Sequence, residues 1–217
     1  MRGILISFEG SDGCGKSTQV IRLAERLRAA GLSVLTTREP GGTPAGESIR
    51  HLLQTAREGA ALTPEAELLL FAASRAQLVR EVILPALEKG TWVLVDRFLD
   101  STTVYQGVAR RLKAEEVRAI NEFAVGGLRP DVTFLFDLDT GIALERLGAR
   151  GGAAADRIEN QPRAFFEAVR AGYLQLAAEE SQRFRVIDAS QPVEAVTDTL
   201  WKLLEEQFHG LFAGHRI

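Results

Sequence analysis

Gly3-Ile-Leu-Ile-Ser-Phe8 runs through Glu9 into Gly10-Ser-Asp-Gly-Cys-Gly15-Lys16-Ser17-Thr18, so a short apolar stretch enters a glycine-rich loop that closes on Lys-Ser. The loop meets the pattern G-x-x-x-x-G-K-[ST] at every fixed position. Ile4–Phe8 reads as a strand feeding it, and the pattern from Lys16 to Ala30 reads as the helix leaving it. Glycines let the backbone curl until successive N–H groups point inward at an anion. The following helix adds the positive end of its dipole. The expected ligand is the phosphate chain of a nucleoside triphosphate, cradled by Gly10, Ser11, Asp12, Gly13, Cys14, Gly15, Lys16, Ser17 and Thr18. Lys16 is expected to reach the β- and γ-phosphates, and Ser17 to ligate Mg²⁺.

Outward from the loop, four more apolar segments read as strands: Ser33–Thr37, Trp92–Val95, Val132–Asp137 and Phe184–Ile187. Several are continuous apolar runs, which suits strands covered on both faces. Helical patterns alternate with them at Lys16–Ala30, Ala45–Arg57, Pro64–Lys89, Lys113–Val125, Thr140–Leu147, Arg163–Glu180 and Val193–Phe208. The alternation predicts one α/β domain over residues 1–217, a three-layer P-loop NTPase fold with a five-stranded parallel sheet flanked by helices. Ligand-binding loops belong beyond the carboxyl ends of such strands. Asp96, at the end of Trp92–Val95, is therefore expected to hold the water shell of Mg²⁺. Gly148–Ala155 is small and nearly featureless apart from Arg150, and residues 148–160 are the expected lid.

Composition narrows the class. The chain has 217 residues, 46% apolar and 25% charged, with net charge −3. That is an ordinary globular mixture, and the charge argues against a broad nucleic-acid surface. Cys14 is the single cysteine, which excludes an internal disulfide and a zinc cluster, and His51, His209 and His215 are scattered. With no basic leader and no long apolar run, the expectation is a cytoplasmic protein that does not enter a membrane.

The loop alone leaves ATPases, GTPase switches and kinases open. The absence of an Asn-Lys-x-Asp segment argues against a guanine-specific switch. A kinase needs an acceptor pocket, cations bridging donor and acceptor, and a lid against water. Arg38, Arg50, Arg75, Arg97, Arg150 and Arg157 are candidates for the cations. Phe71 and Arg75 stand four apart in one helix and share a face. A kinase for another nucleotide or nucleoside and a non-catalytic nucleotide-binding switch are the rival readings.

The whole chain, in order, resembles the bacterial thymidylate kinases. The stretches that carry the resemblance are Phe8-Glu-Gly-Ser-Asp-Gly-Cys-Gly-Lys-Ser-Thr18, Thr37-Arg-Glu-Pro-Gly-Gly-Thr43, Leu70-Phe-Ala-Ala-Ser-Arg75 with Gln77, Asp96-Arg97, Ser101-Thr102 with Tyr105-Gln106-Gly107, and Asp156-Arg-Ile-Glu159. The resemblance implies ATP and Mg²⁺ as cofactors, dTMP as acceptor and a homodimer. It implies that Phe71 stacks on thymine and Arg75 donates to its O4. Arg38 and Arg97 would grip the acceptor phosphate, supported by Arg50 and Glu39. Asp12 would approach the 3′-OH and the gripping arginines. Ser101, Thr102 and Gln106 would line the base pocket, and Tyr105 would close off the 2′ side of the sugar. Lys16, Arg97, Arg150 and Asp12 are thus the expected catalytic set. Some relatives carry an arginine inside the phosphate loop where Gly13 stands here. Arg150, with Arg157 second, is expected to supply that charge from the lid. Leu69, Ala72, Ala76, Val79 and Ile83 on the long Pro64–Lys89 helix are the expected dimer surface.

Overall fold

A computed structural model of the chain describes residues 2–55, 62–149 and 157–212. The apolar segments form one parallel sheet of β1 (Leu5–Glu9), β2 (Val34–Arg38), β3 (Trp92–Asp96), β4 (Val132–Asp137) and β5 (Phe184–Asp188), in the order β2-β3-β1-β4-β5. The central strands β1, β3 and β4 are buried almost throughout, whereas β2 and β5, at the edges, are partly exposed. This is the burial expected of strands with helices on both faces.

Strand alternation sorts the two layers. Ile6 and Phe8 face one side, where α1 (Lys16–Ala29) and α9 (Val193–Phe212) cover them with Val20, Leu23, Leu27, Val196, Leu200 and Leu204. Phe8 packs edge-on to Phe134 at 5.8 Å and stacks on Phe136 at 5.9 Å between ring centroids. Leu5 faces the other side, under α3 (Pro64–Leu78), α4 (Leu84–Glu88), α5 (Leu99–Thr102) and α6 (Ala114–Val125). A third cluster joins Leu135 of β4 to α8 (Arg163–Glu179). The remaining helices are α2 (Pro44–Thr55) and α7 (Thr140–Gly148), the latter capped by Asp139, which accepts from the N–H groups of Gly141 and Ile142.

Two departures from the sequence reading have identifiable causes. The Pro64–Lys89 pattern is one run, but its ladder widens into a π-helical turn at Val79–Ile83 between α3 and α4. The widening sits just before Pro85, whose nitrogen cannot donate to the preceding turn. The seven helical patterns also omit α5 and the seven-residue π-helical turn that continues it, Thr103–Ala109. Its start is rich in serine and threonine, poor helix formers, so propensity is silent there. Tertiary packing decides instead. Gly172 of α8 lies so close that a Cβ on it would stand 3.2 Å from Val104 and 3.3 Å from Val108. Arg183 clamps buried Asp100 of α5 through two 2.7 Å bonds and reaches Thr133 of β4 at 2.8 Å.

Of the five residues expected at a dimer surface, Ala72, Val79 and Ile83 are buried within the chain itself; Ala76 is half-buried and Leu69 is 56% exposed. Register brings the carboxyl ends of three strands to one rim, with Phe8 and Arg38 both opposite Asp96. Phe134→Ala should lower unfolding stability by about 3–5 kcal/mol in urea titrations, because it empties the centre of the α1/α9 layer. A loss below about 1 kcal/mol would mean that this layer repacks freely.

Candidate active site

The loop after β1 curls as its glycines require. Gly13 has φ 83°, and a Cβ there would stand 2.3 Å from the carbonyl oxygen of Ala143, so a larger residue would require the backbone here to shift. Gly15 opens α1 with φ 93°, and a Cβ on it would meet no atom within 4 Å. The start of α1 therefore borders open space, as an anion cradle needs. Lys16 folds back over the loop, its Nζ donating to the carbonyls of Gly10 at 3.0 Å and Ser11 at 2.8 Å and approaching the Cys14 sulfur at 3.5 Å. A triphosphate can take over donors that now serve only the loop's own carbonyls.

Ser17 Oγ donates to Asp96 Oδ2 at 2.5 Å, so the end of β3 meets the first turn of α1. These are hard oxygen ligands beside the cradle. No cluster of three His, Cys, Asp or Glu suited to a metal occurs among the described residues. The pair fits Mg²⁺, which is usually held by one or two protein oxygens with phosphates and water completing its shell.

A cavity of about 260 Å³ runs on from the cradle. Asp12, Gly13, Gly15, Lys16, Ser17 and Asp96 line one part of it. Arg38, Glu39, Arg50, Phe71, Arg97, Ser101, Thr102, Tyr105 and Gln106 line the rest, together with Pro40, Leu53, Gln54, Ile158 and Glu159, to which the sequence reading gave no individual role. Gly10, Ser11, Cys14, Thr18, Arg75 and Arg157 are not in its lining. Arg150 lies outside the described residues.

Arg97 is the hub of the acceptor end. Its backbone is left-handed, φ 66°, which costs a non-glycine residue on the order of 1 kcal/mol or more. Its guanidinium donates to Asp12 Oδ1 at 2.7 Å, Tyr105 OH at 3.2 Å, Ser101 Oγ at 3.2 Å and Tyr173 OH at 3.4 Å, and lies over the Tyr105 ring. Burial pushes the Tyr105 hydroxyl well above its ordinary range, so it stays a neutral phenol able to donate. Beneath Arg97 sits Glu9, wholly buried on the same face of β1 as Leu5. Its Oε1 accepts from Phe98 N at 2.7 Å and Ser7 Oγ at 3.1 Å; its Oε2 accepts from Ser101 Oγ at 2.6 Å and Tyr173 OH at 2.8 Å. Burial, and then the charge of Asp100, raise its pKa above the usual carboxylate range. A charge at the end of an apolar strand was the sequence signal for it, and the predicted strand stopped one residue short. Arg38, at the rim, is held by both oxygens of Glu47 at 2.9 and 3.0 Å. Arg50 donates to the carbonyl of Pro40 at 3.0 Å.

Phe71 reaches the cavity, whereas Arg75, four residues on, lies behind its wall and is 1% exposed. Arg75 donates to Glu39 Oε2 at 2.8 Å, Asn121 Oδ1 at 2.7 Å, Thr102 Oγ1 at 2.9 Å and the carbonyl of Phe98 at 3.3 Å. Thr102, which does line the cavity, thus accepts from Arg75 and keeps its own O–H to give. The other oxygen of Glu39, Oε1, is buried with no hydrogen-bond partner. Burial therefore outweighs the charge of Arg75, and the Glu39 carboxyl is pushed up to about 7.

Because its pKa is raised on folding, Glu39 binds a proton more tightly folded than unfolded. Between the usual 4.5 and about 7 its contribution to stability falls as pH rises. Unfolding free energies measured across that window should decline more steeply with pH for the wild type than for Glu39→Gln. Parallel curves would place the Glu39 carboxyl in the ordinary range.

Comparison with known proteins agrees with this geometry. The family model described as Thymidylate kinase matches residues 8–200. The chain is 50% identical to the thymidylate kinase of Caldanaerobacter subterraneus subsp. tengcongensis over 210 residues, covering 97% of this chain and 99% of the relative. It is 49% identical to that of Pseudomonas savastanoi pv. phaseolicola over 213 residues, covering 97% and 100%. It is 46% identical to that of Deinococcus radiodurans over 209 residues, covering 96% and 99%. With a match of that extent and a phosphate loop that opens into an arginine-bearing cavity, the chain belongs to the thymidylate kinase family.

Proposed function

We propose that the protein transfers the γ-phosphoryl group of ATP to the 5′-phosphate of dTMP, giving dTDP and ADP. The observation that carries this reading is that one cavity holds both a triphosphate cradle, with Lys16 and Ser17, and an acceptor end with Arg97, Tyr105 and Phe71. Membership of the family supports dTMP over other acceptors.

The chemical difficulty is electrostatic, since two strongly negative groups must meet. Lys16 exchanges its loop carbonyls for phosphate oxygens, and Arg97, fixed by Asp12 and Tyr105, faces the acceptor phosphate. Arg38 exchanges Glu47 for the same phosphate. Ser17 and Asp96 are the residues that would hold Mg²⁺, which would supply positive charge to offset that of the donor phosphates. No general base is required, because the acceptor phosphate is already largely dianionic near neutral pH. Phe71 stacks on thymine. Thr102 donates its hydroxyl toward the base, and Arg75 orients Thr102 from behind. Tyr105 fills the space a 2′-OH would need. Residues 148–160 act as the lid that excludes water, with Arg150 bringing positive charge to the transferring group. Among the described residues no helix is long and apolar enough to cross a membrane, which suits an enzyme of the cytoplasm.

In a coupled assay of ADP release, dTMP should be the preferred acceptor over dCMP, GMP and thymidine, and Arg150→Ala should lose roughly a thousandfold in turnover. ATP binding without acceptor-dependent ADP release would favour a nucleotide switch instead. A loss within about threefold for Arg150→Ala would remove that residue from the chemistry. The protein is also proposed to be a homodimer, supported by the exposed apolar side chains of Leu69 on α3 and Phe123 on its packed neighbour α6, 56% and 82% accessible. Sedimentation equilibrium at micromolar concentration should give twice the chain mass; a single-chain mass would sink the dimer.

A further inference from the structure

Glu67 is a buried carboxylate that the transfer chemistry does not use. It sits in the first turn of α3, four residues before Phe71, and its side chain is 2% exposed. Burial alone would raise its pKa. Hydrogen bonds from Gln106 and Arg157 and the charges of Arg110 and Arg157 overcome burial and lower it, so the group is ionised near neutral pH. The dipole at the start of α3 acts in the same sense.

Its partners come from separate parts of the chain. Gln106 Nε2 donates to Oε1 at 2.7 Å, Arg110 donates through Nε at 3.3 Å and Nη2 at 3.4 Å, and Arg157 Nη2 donates to Oε2. The arrangement closes on itself. Arg110 Nη1 donates to Gln161 Oε1 at 3.0 Å, Gln161 Nε2 donates to the carbonyl of Arg157 at 3.1 Å, and Arg157 Nε reaches the carbonyl of Leu53 in α2 at 3.4 Å. Glu67, Arg110 and Arg157 are absent from the cavity lining, but the residues they fix belong to it: Gln106, Leu53 and, directly after Arg157, Ile158 and Glu159. All of these stand apart from the phosphate loop in sequence and in the wall they form.

We infer that Glu67 is a positioning residue. Its carboxylate docks the carboxyl-terminal end of the 148–160 segment, through Arg157, onto the same anchor that holds Gln106, and so shapes the wall against which the acceptor nucleotide is seated. Arg157 then serves to hold that wall, and the transferring phosphoryl group is left to Arg150. The inference rests on dTMP being the acceptor.

The test uses the full chain and compares wild type, Glu67→Gln, Arg157→Met and the double variant, with KM for dTMP and for ATP and dTMP binding by calorimetry. Glu67→Gln keeps the shape and an acceptor for Gln106 but removes the charge that holds Arg157. Each single variant should raise KM for dTMP about tenfold or more and weaken dTMP binding in step, with KM for ATP within about twofold of wild type. The double variant should cost no more than the worse single one, because both break the same contact. A general structural defect would raise both KM values together or leave both unchanged, and either result overturns the role, as does full multiplication of effects in the double variant. Should Glu67→Gln not fold, Arg157→Met decides alone by the same split between substrates. A wild type that neither binds nor phosphorylates dTMP would remove the acceptor reading and this inference with it, whereas an active wild type with unmoved variants would remove only the inference.

Discussion

The site depends on one buried carboxylate beneath it. Glu9 ends the central strand, carries no solvent exposure, and receives four hydrogen bonds from three different elements. Breaking a buried, fully bonded charge out of such a setting is costly because its partners are left unsatisfied. Two of those partners, Phe98 N and Ser101 Oγ, directly follow the turn where Arg97 is forced into a left-handed backbone. A residue in that conformation persists only where its surroundings over-determine it. Tyr173, which also bonds Glu9, reaches Arg97 from α8, so the same anchor fixes the arginine's backbone and one wall around its side chain.

The two ends of the cavity are built on different principles. The donor end is backbone: a curled loop, a helix start and a lysine resting on carbonyls. Its geometry follows from glycine conformations and needs few neighbours. The acceptor end is a net of side chains in which almost every polar group already has a protein partner. Arg97 with Asp12, Arg75 with Glu39 and Asn121, and Arg38 with Glu47 are ion pairs or hydrogen-bonded pairs before any nucleotide arrives. Such pairs hold side chains in place ahead of binding, which is how rigid sites avoid spending ordering entropy at the moment of capture. Glu39 is the exception within this net, since one of its oxygens is left without a donor.

Much of this was legible in the sequence, for physical reasons that differ by residue. The phosphate loop was readable because its glycines are local necessities, and the sheet because strands buried on both faces must be apolar throughout. Asp96 was readable from its place at a strand end, whereas the role expected of Arg97 came from the resemblance. Arg75 was assigned to the base pocket by resemblance; the fold buries it just behind the lining, bonded to Thr102, which lines the cavity. Its depth depends on how α3 packs against α5 and α6, which periodicity does not encode. Glu67 was invisible, because an acidic residue in a first helical turn is what any solvated helix shows. Its importance exists only once the π-helical turn and Arg157 have been brought to it.

Gly172 sits in α8, outside the cavity lining, where the helix presses closely on the turn that carries Tyr105. The setting of Tyr105 in the cavity wall is thereby fixed from the outer layer, by the absence of a methyl group. A neighbour at 3.2–3.3 Å gives way only by a few tenths of an ångström, and that small movement would be passed through Val104 and Val108 to the phenol next to them. The place of the Tyr105 ring in the cavity wall is therefore partly a property of helix packing, tunable at a position outside the lining itself.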